Sequence, residues 1–357
     1  MTKDKSIFIK NIYYMLAYAF AALRQDGYKS VAGERFENPH NLFAAILARG
    51  IGIQLKQGLY REYLSRREDV SAMRGKIDLQ GAVRNRLARK RLLTCEYGEL
   101  SENNPFNQIL KTTAILLMRH PEVEETYKTD LKRKLLFFSE VSAVDPPSIR
   151  WAAIRFQRNN HTYRMLLGVC QLVLEGMLLT TGNGEYRLAS FVDEQRMSRL
   201  YEKFILEYFI REYPQIKTSA PQIPWALDDG AGTLLPVMQS DVVLCRGNTE
   251  LIIDAKYYTR IMQARYDADR IRSEHLYQIF AYVKNEAASS GGIPRQVSGM
   301  LLYAGTDEAV QPDCVYQMSG NKISVKTLDL NREFSEIAEQ LNQIAAEHFG
   351  TAPGFCR

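Results

Sequence analysis

The spacing of apolar residues changes character part-way along this chain. Up to about residue 185 the recurrence is mostly helical. Ile12 to Leu23 and Leu42 to Leu55 carry it, Asn107 to Met118 is a further helix starting just after Pro105, and Tyr163 to Leu179 is strongly apolar. Asp145-Pro146-Pro147 interrupts the pattern, Trp151 to Phe156 reads as a short strand, and Thr181-Gly182-Asn183-Gly184 reads as a loop. Beyond that loop come a helical pattern over Arg196 to Arg211 and a stretch with Pro214, Pro221 and Pro224, followed by two short apolar runs. A helix over roughly Ser273 to Asn285, strand-like runs at Val297 to Tyr303 and Lys322 to Leu328, and a helix from about Glu333 to Phe349 complete the order. Helices and strands around one sheet predict an α/β arrangement, α+β overall. Two domains are expected: 1–185, mainly helical with some strands, and 186–357.

The two short runs hold the most chemistry. Val242 to Cys245 and Leu251 to Ile253 are joined by Arg246-Gly247-Asn248-Thr249, and Gly-Asn between such runs signals a hairpin with a type II′ turn. With Arg246 and Thr249 flanking the turn, antiparallel counting puts Asp241 opposite Asp254. Alternation then places Ile252, Asp254 and Lys256 on one face, with Leu251, Ile253, Ala255 and Tyr257 on the other. Opposed residues have Cβ atoms roughly 4.5 to 5.5 Å apart, so like charges there repel unless a cation sits between them. Two carboxylates on a hard divalent cation, with an ammonium two residues on, is the chemistry of metal-assisted phosphodiester cleavage. The plainer reading is of strands that end in charged residues on leaving a core.

Composition narrows the class. A chain of 357 residues has ample apolar content for two cores. Its formal charge of +5, from 46 basic and 41 acidic residues, permits nucleic-acid binding without requiring it. The basic residues are uneven, however. Arg84, Arg86, Arg89, Lys90 and Arg91 crowd one stretch without an acid, just after Arg74-Gly75-Lys76. That run is either a surface or arm for phosphates or a partner, or one solvated helix face. The five cysteines are dispersed with no Cys-x-x-Cys pair, which argues against zinc and for a reducing compartment. Ile12 to Leu23 is too short to span a bilayer, so a cytoplasmic protein without a membrane partner is expected. No Gly-x-x-x-x-Gly-Lys-Ser/Thr loop occurs, so nucleotide hydrolysis is not expected of this chain itself.

Two helices flank the hairpin. In the first, Tyr201, Phe204, Ile205, Tyr208 and Phe209 form an apolar stripe, and Glu202 lies at its margin, aimed along the core boundary or paired with Lys203 or Arg199. In the second, Leu276, Ile279, Phe280 and Val283 form the expected buried stripe. Gln278 and Tyr282, one turn apart, point the other way, to contact DNA, to hold a water, or simply to be solvated.

Glu202, Asp241, Asp254-Ala255-Lys256 and Gln278-x-x-x-Tyr282 resemble the ordered motifs of the PD-(D/E)xK nuclease superfamily. More narrowly, Asn11-Ile12-Tyr13-Tyr14-Met15-Leu16-Ala17-Tyr18-Ala19, Arg74-Gly75-Lys76-Ile77, Met238-Gln239-Ser240-Asp241, Leu251 to Tyr258 and His275-Leu276-Tyr277-Gln278 resemble the McrC family, nuclease subunits of the McrBC system. Ser240 stands where the superfamily name implies proline. The resemblance runs over nearly the whole chain. It implies a C-terminal PD-(D/E)xK fold, with a central mixed sheet flanked by helices, acting as a DNA endonuclease. It implies Mg²⁺ bound by Asp241, Asp254 and the Ala255 carbonyl, with Lys256 acting on the attacking water, Glu202 supporting the metal, and Gln278 and Tyr282 on the substrate. It further implies an McrB-like AAA+ partner that binds GTP, and double-stranded DNA with modified cytosine as substrate. Arg84 to Arg91 would be a candidate docking element for the partner or DNA. A non-catalytic assembly or GTPase-activating subunit, or a stand-alone repair or defence nuclease, are the rival readings.

Overall fold

The computed structural model describes residues 5–20, 31, 33–157, 160, 162–180, 186–188, 193–228, 232–257, 262–265, 268–289, 295–305 and 311–350. The chain forms two compact units. The large unit comprises Met1–Leu42, Glu175–Leu179 and Ala189–Arg357, and the small unit Phe43–Leu174 and Thr180–Leu188. One cut near residue 185 therefore does not describe the division, because the N-terminal helix belongs with the C-terminal part. That helix, α1 (Lys5–Ala19), is fixed by long-range contacts inside the large unit. The buried Asn11 amide donates to the carbonyls of Leu330 and Arg332 at 2.8 and 2.7 Å, and the Tyr18 ring lies 5.6 Å from that of Phe204.

The small unit holds most of α2 (Pro39–Gln57), then β1 (Glu62–Val70), β2 (Lys76–Ile77), α3 (Leu79–Leu87) and β3 (Leu93–Ser101). Its helices α4 (Pro105–Arg119), α5 (Glu125–Leu135) and α6 (Tyr163–Gly176) follow. The strands form an antiparallel sheet in the order β1-β3-β2. Pro105 opens α4, as its position before the apolar run predicts, and the Asn104 side chain caps it by accepting from the Asn107 N–H. Trp151 to Phe156 is not a strand. Pro146 and Pro147 start one 3₁₀ turn, Trp151–Ala153 forms another, and among the described residues the segment pairs with no strand. On α3, Gly81 is required by closeness: a Cβ there would lie 2.4 Å from Thr94 Oγ1.

After short strands β4 (Leu178–Thr180) and β5 (Tyr186–Leu188), the large unit continues with α7 (Glu194–Glu212), capped by the Asp193 side chain on two N–H groups. Strands β6 (Lys217–Ser219), β7 (Gln222–Ile223), β8 (Met238–Gln239), β9 (Val242–Arg246), β10 (Thr249–Lys256), β11 (Met262–Arg265) and β12 (Ala268–Ile271) precede α8 (Ser273–Ala288). Then come β13 (Gln296–Ala304), β14 (Cys314–Met318), β15 (Asn321–Leu328) and α9 (Phe334–Phe349). The main sheet has the order β14-β15-β13-β10-β9-β6. It is mixed, with β10 parallel to β13 and β13 parallel to β15, while the remaining pairs are antiparallel. This is the expected mixed sheet flanked by helices. One of its faces, carrying Val243, Ile252, Val297, Leu301 and Tyr303, packs against Ile279, Tyr282 and Val283 of α8. Gly299 lets the helix come close, since a Cβ there would sit 2.7 Å from Val283 and 2.8 Å from Ile279. Among the described residues no helix is long and apolar enough to cross a membrane.

Candidate active site

The hairpin sets the site. Gly247 has φ +60°, while Asn248 is absent from the positive-φ residues, as a type II′ turn requires. The β9–β10 ladder runs from Arg246↔Thr249 to Val242↔Ile253. The next step in that register is Asp241 opposite Asp254. There the ladder's backbone bonding gives way to a side-chain bond, with the Ala255 N–H donating to Asp241 Oδ2 at 2.8 Å. N–H and carbonyl of one strand residue project to the same side, so the Ala255 carbonyl also points towards the end of β9. Ser240, in the proline position of the superfamily name, fastens the approach to Asp241. It is buried, and its N–H and Oγ both donate to the Pro221 carbonyl, at 3.2 and 2.7 Å.

Lys256 emerges on the same face as Asp254. Its Nζ lies 3.0 and 2.9 Å from the two carboxylate oxygens and donates to Gln278 Oε1 at 3.1 Å. The Gln278 amide N–H₂ donates to Tyr282 OH at 2.9 Å, and that hydroxyl donates to the Gln239 carbonyl at 3.0 Å. A single directed chain thus runs from the ammonium to the backbone just before Asp241. It corrects the orientation expected for α8. Tyr282 is buried, Gln278 is half-buried, and both point towards the sheet, while Leu276 and Phe280 are only half-buried. A polar side chain can face a core when its partners are there to satisfy it, and Lys256 and the Gln239 carbonyl are those partners. Sequence reasoning carried His275 only within the run His275-Leu276-Tyr277-Gln278 and gave it no role; it is buried one turn before Gln278, with Nδ1 2.8 Å from the hydroxyl of buried Tyr303. That run and the spacing of three residues from Gln278 are its signals in the sequence.

Burial pushes the Asp241 carboxyl well above the ordinary range, and the charges of Asp254 and Glu202 push it further. Burial also raises Asp254, although Lys256 opposes the shift. Glu202, half-buried on α7, therefore acts on both acids, and Ser198 Oγ donates to it at 3.0 Å. Burial drives the His275 imidazole down to about 4, helped by Lys256 and Arg272. These residues fit a divalent cation. Two opposed carboxylates resist ionisation together, and buried Asp254 Oδ2 accepts no hydrogen bond, though the Lys256 ammonium is near. A hard cation taking oxygen ligands from Asp241, Asp254 and the Ala255 carbonyl would answer both.

Arg84, Arg86, Arg89, Lys90 and Arg91 lie in the small unit, all exposed, along the end of α3 and the turn after it. Arg89 has φ +54°. Beside them Leu79, Val83 and Leu87 make an apolar stripe at i, i+4 and i+8, exposed by 74%, 56% and 81%. The basic run was legible in the sequence, but the apolar stripe within it was passed over.

The family model described as the McrBC 5-methylcytosine restriction system component matches residues 3–304. The type IV methyl-directed restriction enzyme EcoKMcrBC of Escherichia coli (strain K12) is 25% identical over 344 residues, covering 95% of this chain and 97% of that protein. Among solved structures, the refined half-complex from a tetradecameric assembly of Thermococcus gammatolerans McrB AAA+ hexamers with bound McrC contains a similar chain. It aligns with a TM-score of 0.50 at 18% identity, over 94% of this chain and 76% of that one, a likeness of fold. With the family matched over most of its length, this chain belongs to the McrBC 5-methylcytosine restriction system component family.

Proposed function

We propose that this chain is the DNA-cleaving subunit of a GTP-dependent restriction complex specific for modified cytosine, working with an McrB-like AAA+ GTPase. The observation that carries the reading is the opposition of Asp241 and Asp254 beside an ammonium bonded to Asp254. Asp241, Asp254 and the Ala255 carbonyl would hold Mg²⁺. The chemistry that Mg²⁺ held there would supply is Lewis acidity towards the scissile phosphate and the attacking water.

The remaining work falls to the chain's own groups. Lys256 orients the attacking water and offsets the negative charge that grows on the phosphate as one P–O bond forms and the bridging ester P–O bond breaks. Gln278 fixes Lys256, and Tyr282 fixes Gln278, so the ammonium is held before substrate arrives. Glu202 adds negative charge that favours the cation. In the small unit, the exposed basic run with its apolar stripe is the surface we assign to the partner ring or the DNA. Neither GTP binding nor base recognition is assigned to this chain, which has no phosphate loop.

The test is cleavage of cytosine-methylated DNA with Mg²⁺ and GTP, with and without the purified partner, wild type against Asp254→Ala. Cutting that needs the partner, GTP, methylation and Asp254 supports the reading. GTPase stimulation without cutting would make the chain an assembly subunit, and cutting without the partner a stand-alone nuclease.

A further inference from the structure

The site's ammonium has a neighbour that the nuclease reading leaves unused. In the parallel β10–β13 ladder, Lys256 is paired with Tyr303, Asp254 with Leu301 and Ile252 with Gly299. Paired residues project from the same face, so Tyr303 stands beside Lys256 under α8. Its hydroxyl meets His275 Nδ1 at 2.8 Å, and the two rings lie 5.8 Å apart between centroids. His275, Gln278, Ile279 and Tyr282 follow the i, i+3, i+4, i+7 rule and share one helix face. His275 and Gln278 are separated by about 4.5 Å of helix rise, less than the spacing of two strands. Fixing His275 over β13 thereby fixes where Gln278 falls over β10.

We propose that the His275–Tyr303 pair is a positioning device for Lys256: it sets the N-terminal half of α8 on the sheet so that Gln278 Oε1 meets the ammonium. The proposal rests on the reading of Lys256 as the cation of DNA cleavage. Two further observations support it. Burying a hydroxyl and an imidazole together costs desolvation that an apolar pair would avoid, and this polar pair occupies the ladder step beside the ammonium. Burial also keeps the imidazole neutral at physiological pH, so it places no second positive charge next to Lys256. A second anchor of α8, the close approach at Gly299, lies further along the helix, at Ile279 and Val283. On the N-terminal side of Gln278, Leu276 packs against the core only partly buried, whereas His275 is buried and bonded to the strand beside β10.

The experiment uses the full chain with its AAA+ GTPase partner, Mg²⁺, GTP and cytosine-methylated DNA. Tyr303→Phe removes one hydroxyl, and His275→Leu with Tyr303→Phe removes both polar partners, which restores the stability lost by leaving one unsatisfied. For each we would measure kcat and KM separately, the melting temperature, and by crystallography the Lys256 Nζ to Gln278 Oε1 distance, 3.1 Å in the wild type. The expected result is a kcat lower by roughly tenfold to a hundredfold at unchanged KM, with that contact lengthened beyond hydrogen-bonding range. In the double variant the melting temperature recovers and kcat does not. An unchanged kcat, or a double variant that regains both, reduces the pair to core filling. If the wild type does not cut, the nuclease reading fails by itself. The crystallographic arm still decides this inference: a retained contact overturns it and a lengthened one upholds it.

Discussion

Replacing Asp241 by asparagine separates the electrostatics of the site from its shape. Asp241 Oδ2 accepts the Ala255 N–H at 2.8 Å, and the amide oxygen of asparagine can do the same. What disappears is a charge that burial, Asp254 and Glu202 all disfavour. Two carboxylates about 5 Å apart at an effective dielectric near 20 repel by about 3 kcal/mol. Lys256, bonded to Asp254, cancels part of that and leaves about 2 kcal/mol for the substitution to recover. A carboxyl whose folded pKa lies above its unfolded value binds more protons folded than unfolded, so stability falls as pH rises between the two values. The gain from Asp241→Asn should therefore be present at pH 7 and vanish below about pH 4. In EDTA at pH 7 we expect the variant to melt roughly 4 to 8 °C above wild type. Mg²⁺ reverses the comparison. At a hundredfold over its Kd it would stabilise the wild type by about 2.7 kcal/mol, more than the variant's lead, whereas the variant, short of one ligand, gains little and does not cut DNA. Differential scanning fluorimetry with EDTA and with Mg²⁺ reads all four states. A variant that melts below wild type in EDTA, or equal stabilisation of both proteins by Mg²⁺, would refute the reasoning.

Lys256→Met should lower kcat for DNA cleavage by roughly a hundredfold or more while Mg²⁺-induced stabilisation persists; loss of that stabilisation as well would make the lysine structural. Gly299→Ala places a Cβ 2.7 Å from Val283 and 2.8 Å from Ile279, and should cost about 1 to 3 kcal/mol in denaturant titration and reduce cleavage by lifting α8. His275 is neutral in the fold down to about pH 4, whereas the unfolded chain takes up its proton near 6.5. The unfolded state therefore binds more protons between those values, and up to about 3 kcal/mol of stability is lost as pH falls through that window. His275→Asn should flatten that part of the stability profile. Reversing Arg84, Arg86, Arg89, Lys90 and Arg91 to glutamate should abolish partner binding or GTPase stimulation in a pull-down and GTPase assay; if both survive, the docking assignment falls.

The parts of the site set by local rules could be read from the sequence. Gly247-Asn248 fixes the turn, the turn fixes the register, and the register brings Asp241 to Asp254 without knowledge of the rest of the fold. The stripe on α7 was equally plain, since Tyr201, Phe204, Ile205, Tyr208 and Phe209 are all buried. Features that depend on a partner distant in sequence were not legible. Hydropathy ranks Gln278 and Tyr282 as outward-facing because it cannot register that Lys256 and the Gln239 carbonyl receive them. Strand β1 is almost wholly exposed and lacks apolar alternation, so its antiparallel pairing with β3, not its composition, makes it a strand. Trp151 to Phe156 shows the converse, with strand-like residues but no strand to pair with among the described residues.

The bond from Asn11 to the carbonyls of Leu330 and Arg332 also bears on how the protein is made. Synthesis proceeds from the N-terminus, and domains fold as units once their residues have left the ribosome. The small unit, between Phe43 and Leu188, can close early. The large unit must wait, with α1 holding its apolar face towards a helix almost two hundred residues away and a loop more than three hundred away. Until those residues are made Asp241 and Asp254 cannot meet in a finished core, which delays any cutting activity until synthesis has passed Arg332. A fragment covering only residues 186–357 would carry every acid of the site yet lack α1, and Phe204 and Tyr208 would lose the Tyr18 ring they pack against. Such a fragment should be insoluble or inactive, so the segment that reads as a domain cannot be harvested as one.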